Sequence, residues 1–344
     1  LLLKTTFQSW VLLLMKTILI IASNSFTGSH LVSHCLDQGY KVIGISRSKE
    51  YSPVMLPYLV NSKAGNFSFF QLDVNKDLDK ILKLSDNERP EIIANFAAQG
   101  EVRNSWLYPD HWYETNTLAV VKLTEELRKR DYIKKYIAIS TPEVYGNTAI
   151  NVKENHCYFP STPYAASKLA GDLHLFTLYK RYKFPVVFTR SANVYGIHQQ
   201  LYRIIPRTII YLKKRKKIQL HGGGKTERSF IHIKDVVNAT LSIGEEGVIG
   251  DVYHISPKDD EISIYSIVKM ICHMMDYDFE TSVELIDQNF GQDSKFSISS
   301  DKLRSELNWK PKISLKEGVQ EVIFWIEKNW NEISKMHLEY IHKK

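Results

Sequence analysis

Between Thr17 and Arg190, short runs of β-branched and aliphatic residues alternate with longer amphipathic stretches. Strands are expected at Ile18–Ala22, Lys41–Ile45, Phe67–Leu72, Ile92–Phe96, Lys135–Ser140 and Pro185–Arg190, and again at Asp251–Ile255. Helices are expected over Ser29–Gln38, Thr117–Arg130, Tyr164–Tyr182 and Ile233–Gly244. Strands joined through helices run parallel, and right-handed crossovers place the helices on both faces of the sheet. The fold class is therefore α/β, a doubly wound parallel sheet of the Rossmann type. Past Tyr195 the alternation gives way to loops rich in Gly, Lys and Gln, which marks a smaller C-terminal lobe.

With 44% hydrophobic and 24% charged residues, the 344-residue chain is globular, neither disordered nor membrane-embedded. Cys35, Cys157 and Cys272 are far apart and odd in number, without metal-ligand spacing. A reducing cytoplasm and no metal site are expected. The net charge of +7 suits an acidic ligand such as a diphosphate. The basic run Lys213–Lys217 follows the apolar stretch Ile204–Leu212 and reads as a solvated helix end, so no nucleic-acid partner is expected. The apolar segment Leu1–Met15 has no small-residue cleavage site and is too short to span a bilayer. Residues 1–14 are expected to be a non-native or disordered extension ahead of Met15, with no membrane association.

The first strand runs into Ala22-Ser23-Asn24-Ser25-Phe26-Thr27-Gly28 and then a helix. A pyrophosphate at such a turn needs small residues, so that backbone can approach it while the helix amino end points at it. Ala22, Ser25 and Gly28 hold those positions, with one glycine where the fingerprint has three. The second strand ends in Ser46 and Arg47, where an acid would bind the ribose 2′-hydroxyl of NAD. A hydroxyl and a cation there suit the 2′-phosphate of NADP, which is favoured over NAD. Asp73 is placed to accept from the adenine amino group, and Ala97, Ala98 and Gln99 end the fourth strand with small residues against the cofactor. Residues 15–195 are thus expected to form mainly an NAD(P)-binding domain. Residues 196–335 would be mainly a substrate lobe, with segments returning to the sheet.

The fifth strand closes in Ser140-Thr141-Pro142-Glu143-Val144-Tyr145-Gly146, and Tyr164-Ala165-Ala166-Ser167-Lys168 follows. Residues four apart share a helix face, so the Lys168 ammonium is expected beside the Tyr164 phenol. A nearby cation lowers a phenol's pKa, which makes tyrosinate available to deprotonate a sugar hydroxyl as its carbon releases hydride.

These motifs are joined by Phe26–Leu31, Asn95–Gln99, Pro163–Lys168, Thr189–Gly196, Tyr202–Arg207, Arg228–Val236 and Leu307–Leu315. Together they resemble the extended short-chain dehydrogenase/reductase family, and within it the nucleotide-sugar 4,6-dehydratases of the dTDP-glucose type. The resemblance runs from Lys16 to about Trp325. It implies a hydro-lyase of deoxysugar biosynthesis that holds and recycles its NAD(P). The substrate would be a nucleotide-diphosphate sugar. Thr141 would bind the sugar O4, Tyr164 would deprotonate it, and Lys168 would hold the nicotinamide ribose. Glu143 would take the C5 proton. The cofactor would lie against Ala22, Ser25, Phe26, Thr27, Gly28, Ser46, Arg47, Asp73, Val74, Ala97, Ala98, Gln99, Asn116, Tyr164 and Lys168. Asn193, Arg203 and Arg228 would grip the nucleotide diphosphate, and helices Thr117–Arg130 and Tyr164–Tyr182 would pair with their copies in a homodimer.

The chain departs from the dTDP-glucose type at Pro142, where those enzymes carry an aspartate that protonates the leaving hydroxyl. Asn289 replaces a diphosphate-binding arginine, and Gln99 and Arg47 lean towards the GDP-mannose relatives, so the nucleotide stays open. Two alternatives share the scaffold: a 4-epimerase or 4-keto reductase, and a homologue that binds cofactor without activity. Glu143 separates the first of these, because epimerases need no C5 base.

Overall fold

The computed structural model describes residues 15–146, 151–258, 261–287 and 297–343. The expectations for residues 1–14 and for Asn289 lie outside them. The strands are β1 (Thr17–Ile21), β2 (Lys41–Ser46), β3 (Phe67–Gln71), β4 (Ile92–Asn95), β5 (Lys135–Ile139) and β6 (Val186–Ser191). They continue with β7 (Asn193–Tyr195), β8 (Ile218–His221), β9 (Glu227–His232), β10 (Val252–Ile255), β11 (Glu261–Ser263) and β12 (Val283–Ile286). Seven form one sheet in the order β10-β6-β5-β4-β1-β2-β3, every neighbouring pair parallel. The chain reverses its direction of winding between β1 and β4, and the crevice at their carboxyl ends is where such sheets bind ligands.

Continuous apolar runs make the central strands because both faces are covered. In β1, Ile18 and Ile20 pack on one side with α1 (Phe26–Asp37) and α6 (Ile233–Glu246), while Leu19 and Ile21 pack on the other. That second side carries α3 (Ala119–Leu127) and α4 (Pro163–Tyr182), with α2 (Leu78–Glu88) towards the β3 edge. β3, at the edge of the sheet, is only partly covered. A separate core lies among α5 (Ile204–Lys213), α7 (Ile264–Met274) and α8 (Leu315–Lys328), with Ile209, Ile271 and Val322 fully buried in it. Two small sheets, β11-β9-β7 and β12-β8, belong to this C-terminal part, whereas β10 and α6 return to the large sheet.

Element boundaries differ from the sequence expectation where caps and turns decide them. Helix α1 begins at Phe26 rather than Ser29, because the Ser25 side chain accepts from Gly28 N and caps it. The helix expected at Thr117 instead begins regular α-geometry at Ala119. It is preceded by Pro109–Tyr113 and by a π-helical turn over Glu114–Leu118 that buries Asn116. Helix α4 is capped by Thr162, whose hydroxyl accepts from Ala165 N. The basic run starts at the last residue of α5, where Lys213 lies 4.9 Å over the Trp330 ring.

Candidate active site

Ala22 leaves β1 with a φ of 61°, a left-handed conformation that normally goes to glycine. Its carbonyl accepts from Ser25 N and lies where a Cβ on Gly28 would come within 2.3 Å, so only glycine fits at position 28. Helix geometry leaves the first N–H groups of α1, those of Phe26 and Thr27, directed out of its amino end. The resulting cleft, about 410 Å³ and open to solvent, is lined by Ala22, Ser46, Arg47, Asp73, Val74, Ala97 and Ala98 among others. Ser46 Oγ accepts from Asn24 N, which ties the phosphate turn to the end of β2. Asp73 Oδ1 accepts from Asn75 N.

Asn75 was not among the residues expected from sequence. It lines the same cleft, its Nδ2 donates to Thr115 Oγ1, and its buried Oδ1 has no partner. A buried acceptor left open is costly unless a ligand donor meets it. With Asp73 beside it, this orphaned oxygen fits the amino group of an adenine. The cleft therefore fits the adenosine half of a dinucleotide.

The catalytic residues expected from sequence converge beyond the carboxyl end of β5. Thr141 is buried and caps the short 3₁₀ turn Pro142–Tyr145 by accepting from Glu143 N at 3.3 Å. Pro142 occupies the first position of that turn, where a fixed φ is pre-organised and an N–H would have no partner. Thr141 and Tyr164 are hydrogen-bonded side chain to side chain, and the Glu143 carboxylate lies close enough to Tyr164 to act on its charge. Arg203, at the start of α5, also reaches the phenol with its charge.

The expected pKa relation between Lys168 and Tyr164 does not hold in the structure. The Tyr164 phenol stands well above its ordinary value, because it is desolvated by dense surroundings and faces Glu143. The Thr141 hydrogen bond and Arg203 pull it down but do not prevail. Lys168 is buried and donates to Ile139 O at 2.7 Å. Burial lowers its own pKa, against the pull of Asp172. Helical spacing put the two side chains on one face, but it could not show that a carboxylate and a strand-end carbonyl also claim them.

Asn116 donates to Gln99 O and Ser167 Oγ and accepts from Gln99 N, so it pins the loop after β4 to α4. Asn193 is exposed at the start of β7, paired with Phe230 of β9, two residues beyond Arg228 on that neighbouring strand. Arg228 Nη1 donates to Glu227 O, and Arg203 is exposed at the mouth of the site.

The sequence model of the GDP-mannose 4,6 dehydratase family matches residues 19–322. The chain belongs to this family. Human dTDP-D-glucose 4,6-dehydratase is 29% identical, the match covering 93% of this chain and 93% of that protein. The crystal structure of dTDP-glucose 4,6-dehydratase from Bacillus anthracis, in complex with NAD, is similar with a TM-score of 0.82 and 26% identity. It covers 92% of this chain and 98% of the other. UDP-glucose 4-epimerase from Thermotoga maritima, solved with UDP-glucose, has a TM-score of 0.79 at 25% identity, with 91% of this chain and 99% of that one covered. The fold is thus shared by nucleotide-sugar 4,6-dehydratases and 4-epimerases, and the extended short-chain dehydrogenase/reductase resemblance is that of this family.

Residues 338–343 lie past the stretch that the 4,6-dehydratase family model matches, and they cross the mouth of the cleft. Gln99 Nε2 donates to Lys343 O at 2.7 Å, and Lys343 Nζ donates to Ser48 Oγ at 3.3 Å. His342 stacks on Tyr108, His111 and Trp112, and Tyr340 packs edge-on against Tyr202. No sequence signal marked this segment, because its partners are distant in the chain and its composition is that of an ordinary tail.

Proposed function

We propose that the protein is a nucleotide-sugar 4,6-dehydratase, a hydro-lyase that converts a nucleotide-diphosphate hexose to its 4-keto-6-deoxy form. The observation that carries this reading is Glu143, held on a capped turn beside the Tyr164 phenol and Thr141. A 4-epimerase needs a base at O4 but no carboxylate at C5, so the shared scaffold with the Thermotoga maritima epimerase does not weigh equally. When bound, a nicotinamide would supply the hydride acceptor for C4 and, once reduced, the hydride donor for C6.

The protein's own residues move the protons. Thr141 orients O4 by hydrogen bonding, and Tyr164 would remove the O4 proton as hydride leaves C4, its raised phenol brought down by the positive charge of the oxidised nicotinamide when that is bound. The 4-keto group acidifies C5–H, and Glu143 takes that proton. Glu143 is then a carboxylic acid at the C6 side and returns its proton to the departing hydroxyl, which leaves as water. This gives the leaving-group acid a candidate despite Pro142. The proton that Tyr164 took from O4 passes to solvent, and a proton from solvent enters at C5 as hydride reaches C6, so cofactor and protein both end as they began. Lys168, fixed by Ile139 O, would present its ammonium to the nicotinamide ribose. Arg203 and Arg228 would hold the diphosphate, for which guanidinium forks are suited.

The nicotinamide cofactor is read as NADP rather than NAD. Arg47 lines the adenosine cleft beside Ser46, where an acid would otherwise exclude a 2′-phosphate. The reading also includes a homodimer: Leu118 and Leu173, on the two helical segments expected to pair, are 52% and 47% exposed, an apolar surface that a partner would cover. Glu143→Gln tests the function. With dTDP-, UDP-, GDP- and CDP-hexoses offered in turn, the variant should still reduce its cofactor in a single turnover yet form no 4-keto-6-deoxy product. Normal product from it would refute the assignment.

A further inference from the structure

Beneath the site lies a buried pair, Arg190 from the Thr189–Gly196 stretch and Asp172, to which the proposed chemistry gives no role. Arg190 of β6 is fully buried, and its Nη2 donates to Asp172 Oδ2 at 3.0 Å, with Asp172 itself only 3% exposed. Asp172 lies on α4 one turn beyond Lys168 and two beyond Tyr164, on the same face. Two contacts connect this pair to the loop that carries Thr141 and Glu143, one at each end. Ser140 Oγ donates to Asp172 Oδ2, and Arg190 Nη1 donates to Tyr145 OH.

The Tyr145 contact is directional. His254 of β10 is buried and neutral, its pKa pushed down to about 3 by desolvation and then by Arg190. Its Nδ1 lies 3.1 Å from Ser299 O, a carbonyl that can only accept, so Nδ1 carries the proton. Nε2 therefore accepts, and the Tyr145 hydroxyl donates to it at 2.8 Å. Arg190, Tyr145, His254 and Ser299 thus form one chain with every proton assigned. The Arg190 guanidinium also lies 4.8 Å from the Tyr145 ring centroid and 5.0 Å from that of Tyr158.

We propose that Arg190 and Asp172 are positioning residues: they clamp Ser140 and Tyr145 so that Thr141 and Glu143 meet Tyr164 and Lys168 in a single register. A buried ion pair is a poor source of net stability, since apolar side chains of the same volume do as well or better. What it supplies is fixed geometry: Nη1 and Nη2 of Arg190 are both engaged, although its buried Nε has no hydrogen-bond partner. The pair joins the catalytic loop, α4, β6 and β10, and misplacement of a catalytic group by about 1 Å costs on the order of a hundred-fold in rate. This inference rests on the dehydratase reading for its kinetic consequence, but not for its structural one.

Hydrogen exchange on the full-length protein tests the structural part without a substrate. Asp172→Asn should accelerate amide exchange in the loop Thr141–Gly146 by at least about ten-fold, with β1 and β2 unchanged. Should that variant fail to fold, Ser140→Ala removes one hydroxyl only and should loosen the same loop. Unchanged loop exchange in the folded variant overturns the proposal. With dTDP-glucose or UDP-glucose, the kcat of the folded variant should fall about ten- to a hundred-fold while KM stays within about two-fold. In a Thr141→Val background the further loss should vanish, because both changes act through one loop. Full kcat, or losses that multiply, would also overturn it. A wild-type protein that turned over no nucleotide hexose would sink the dehydratase reading instead, and the exchange result would still decide the clamp.

Discussion

Acidification from pH 7 to pH 5 should remove a large share of the folding free energy, through four imidazoles rather than through carboxylates. His30 and His254 have pKa values pushed down to about 3, and His198 and His232 to about 4, from 6.5. Burial leads in all four. His198, whose Nδ1 is 3.1 Å from His30 Nε2, also opposes a charge on His30, and Lys234 opposes a charge on His30 and on His232. Glu321 pulls His232 the other way. In the unfolded chain each imidazole gains a proton below about pH 6.5. Folded values lie lower, so the unfolded state binds more protons from about pH 6.5 down to about 4 for His198 and His232 and about 3 for His30 and His254, and stability falls as pH drops through that window.

At pH 5 each imidazole costs about 2 kcal/mol, and four together roughly 8 kcal/mol, at 1.36 kcal/mol per pKa unit. Whole-protein stabilities are about 5–15 kcal/mol. Burial raises the carboxyls of Glu154 and Asp235, which act in the opposite sense and trim the total. Carboxylates held below their usual range, such as Asp86 beside Arg130, matter only in more acid solution. For 344 residues, an unfolding entropy of about 2.1 cal/mol/K per residue makes the expected fall in Tm about 10 °C. Thermal unfolding followed by circular dichroism at pH 7, 6 and 5 and constant ionic strength would measure it. A Tm that moves by less than about 3 °C would refute the reasoning, because the imidazoles would then be protonated in the fold or open to water.

Three further outcomes are expected. Tyr164→Phe should lower turnover by about 10²–10⁴-fold, the usual share of a general base, while isothermal titration still finds nucleotide-sugar binding. Arg47→Ala should weaken NADP by about ten- to a hundred-fold and leave NAD nearly unaffected, as loss of a charge-assisted contact requires; equal losses for both would remove the 2′-phosphate assignment. Truncation after Leu338 removes Tyr340, His342 and Lys343 from the mouth of the cleft, and should speed release of bound dinucleotide about ten-fold, since aromatic contacts are worth roughly 0.5–1.5 kcal/mol each. Unchanged or slower release in stopped flow would show that the tail does not retain the cofactor.

The sheet was legible because parallel strands are buried on both faces: β1, β2, β4, β5 and β6 read as nearly unbroken apolar runs, with amphipathic stretches between them. The phosphate turn was legible at Gly28 but obscured at Ala22, whose left-handed backbone has no glycine to announce it. Thr141, Glu143, Tyr164 and Lys168 could be found by motif because each group is local, a turn in one case and one helix face in the other. The π-helical turn at Glu114–Leu118 left no such mark, since the hydrogen bonds of buried Asn116 run to Gln99 and Ser167 in other segments.

Local periodicity and motif spacing alone determined the α/β class, the placing of the dinucleotide turn at the first crossover, and the pairing of a tyrosine with a lysine on one helix face. Tertiary structure decided the electrostatics of that pair. Burial and then Glu143 raise the phenol, Ile139 O holds the lysine, and Arg190 with Asp172 ties the loop to the helix. Spacing along a chain reports which side chains can share a face. Charge and desolvation depend on every group that arrives from elsewhere, and only the folded chain brings those groups together.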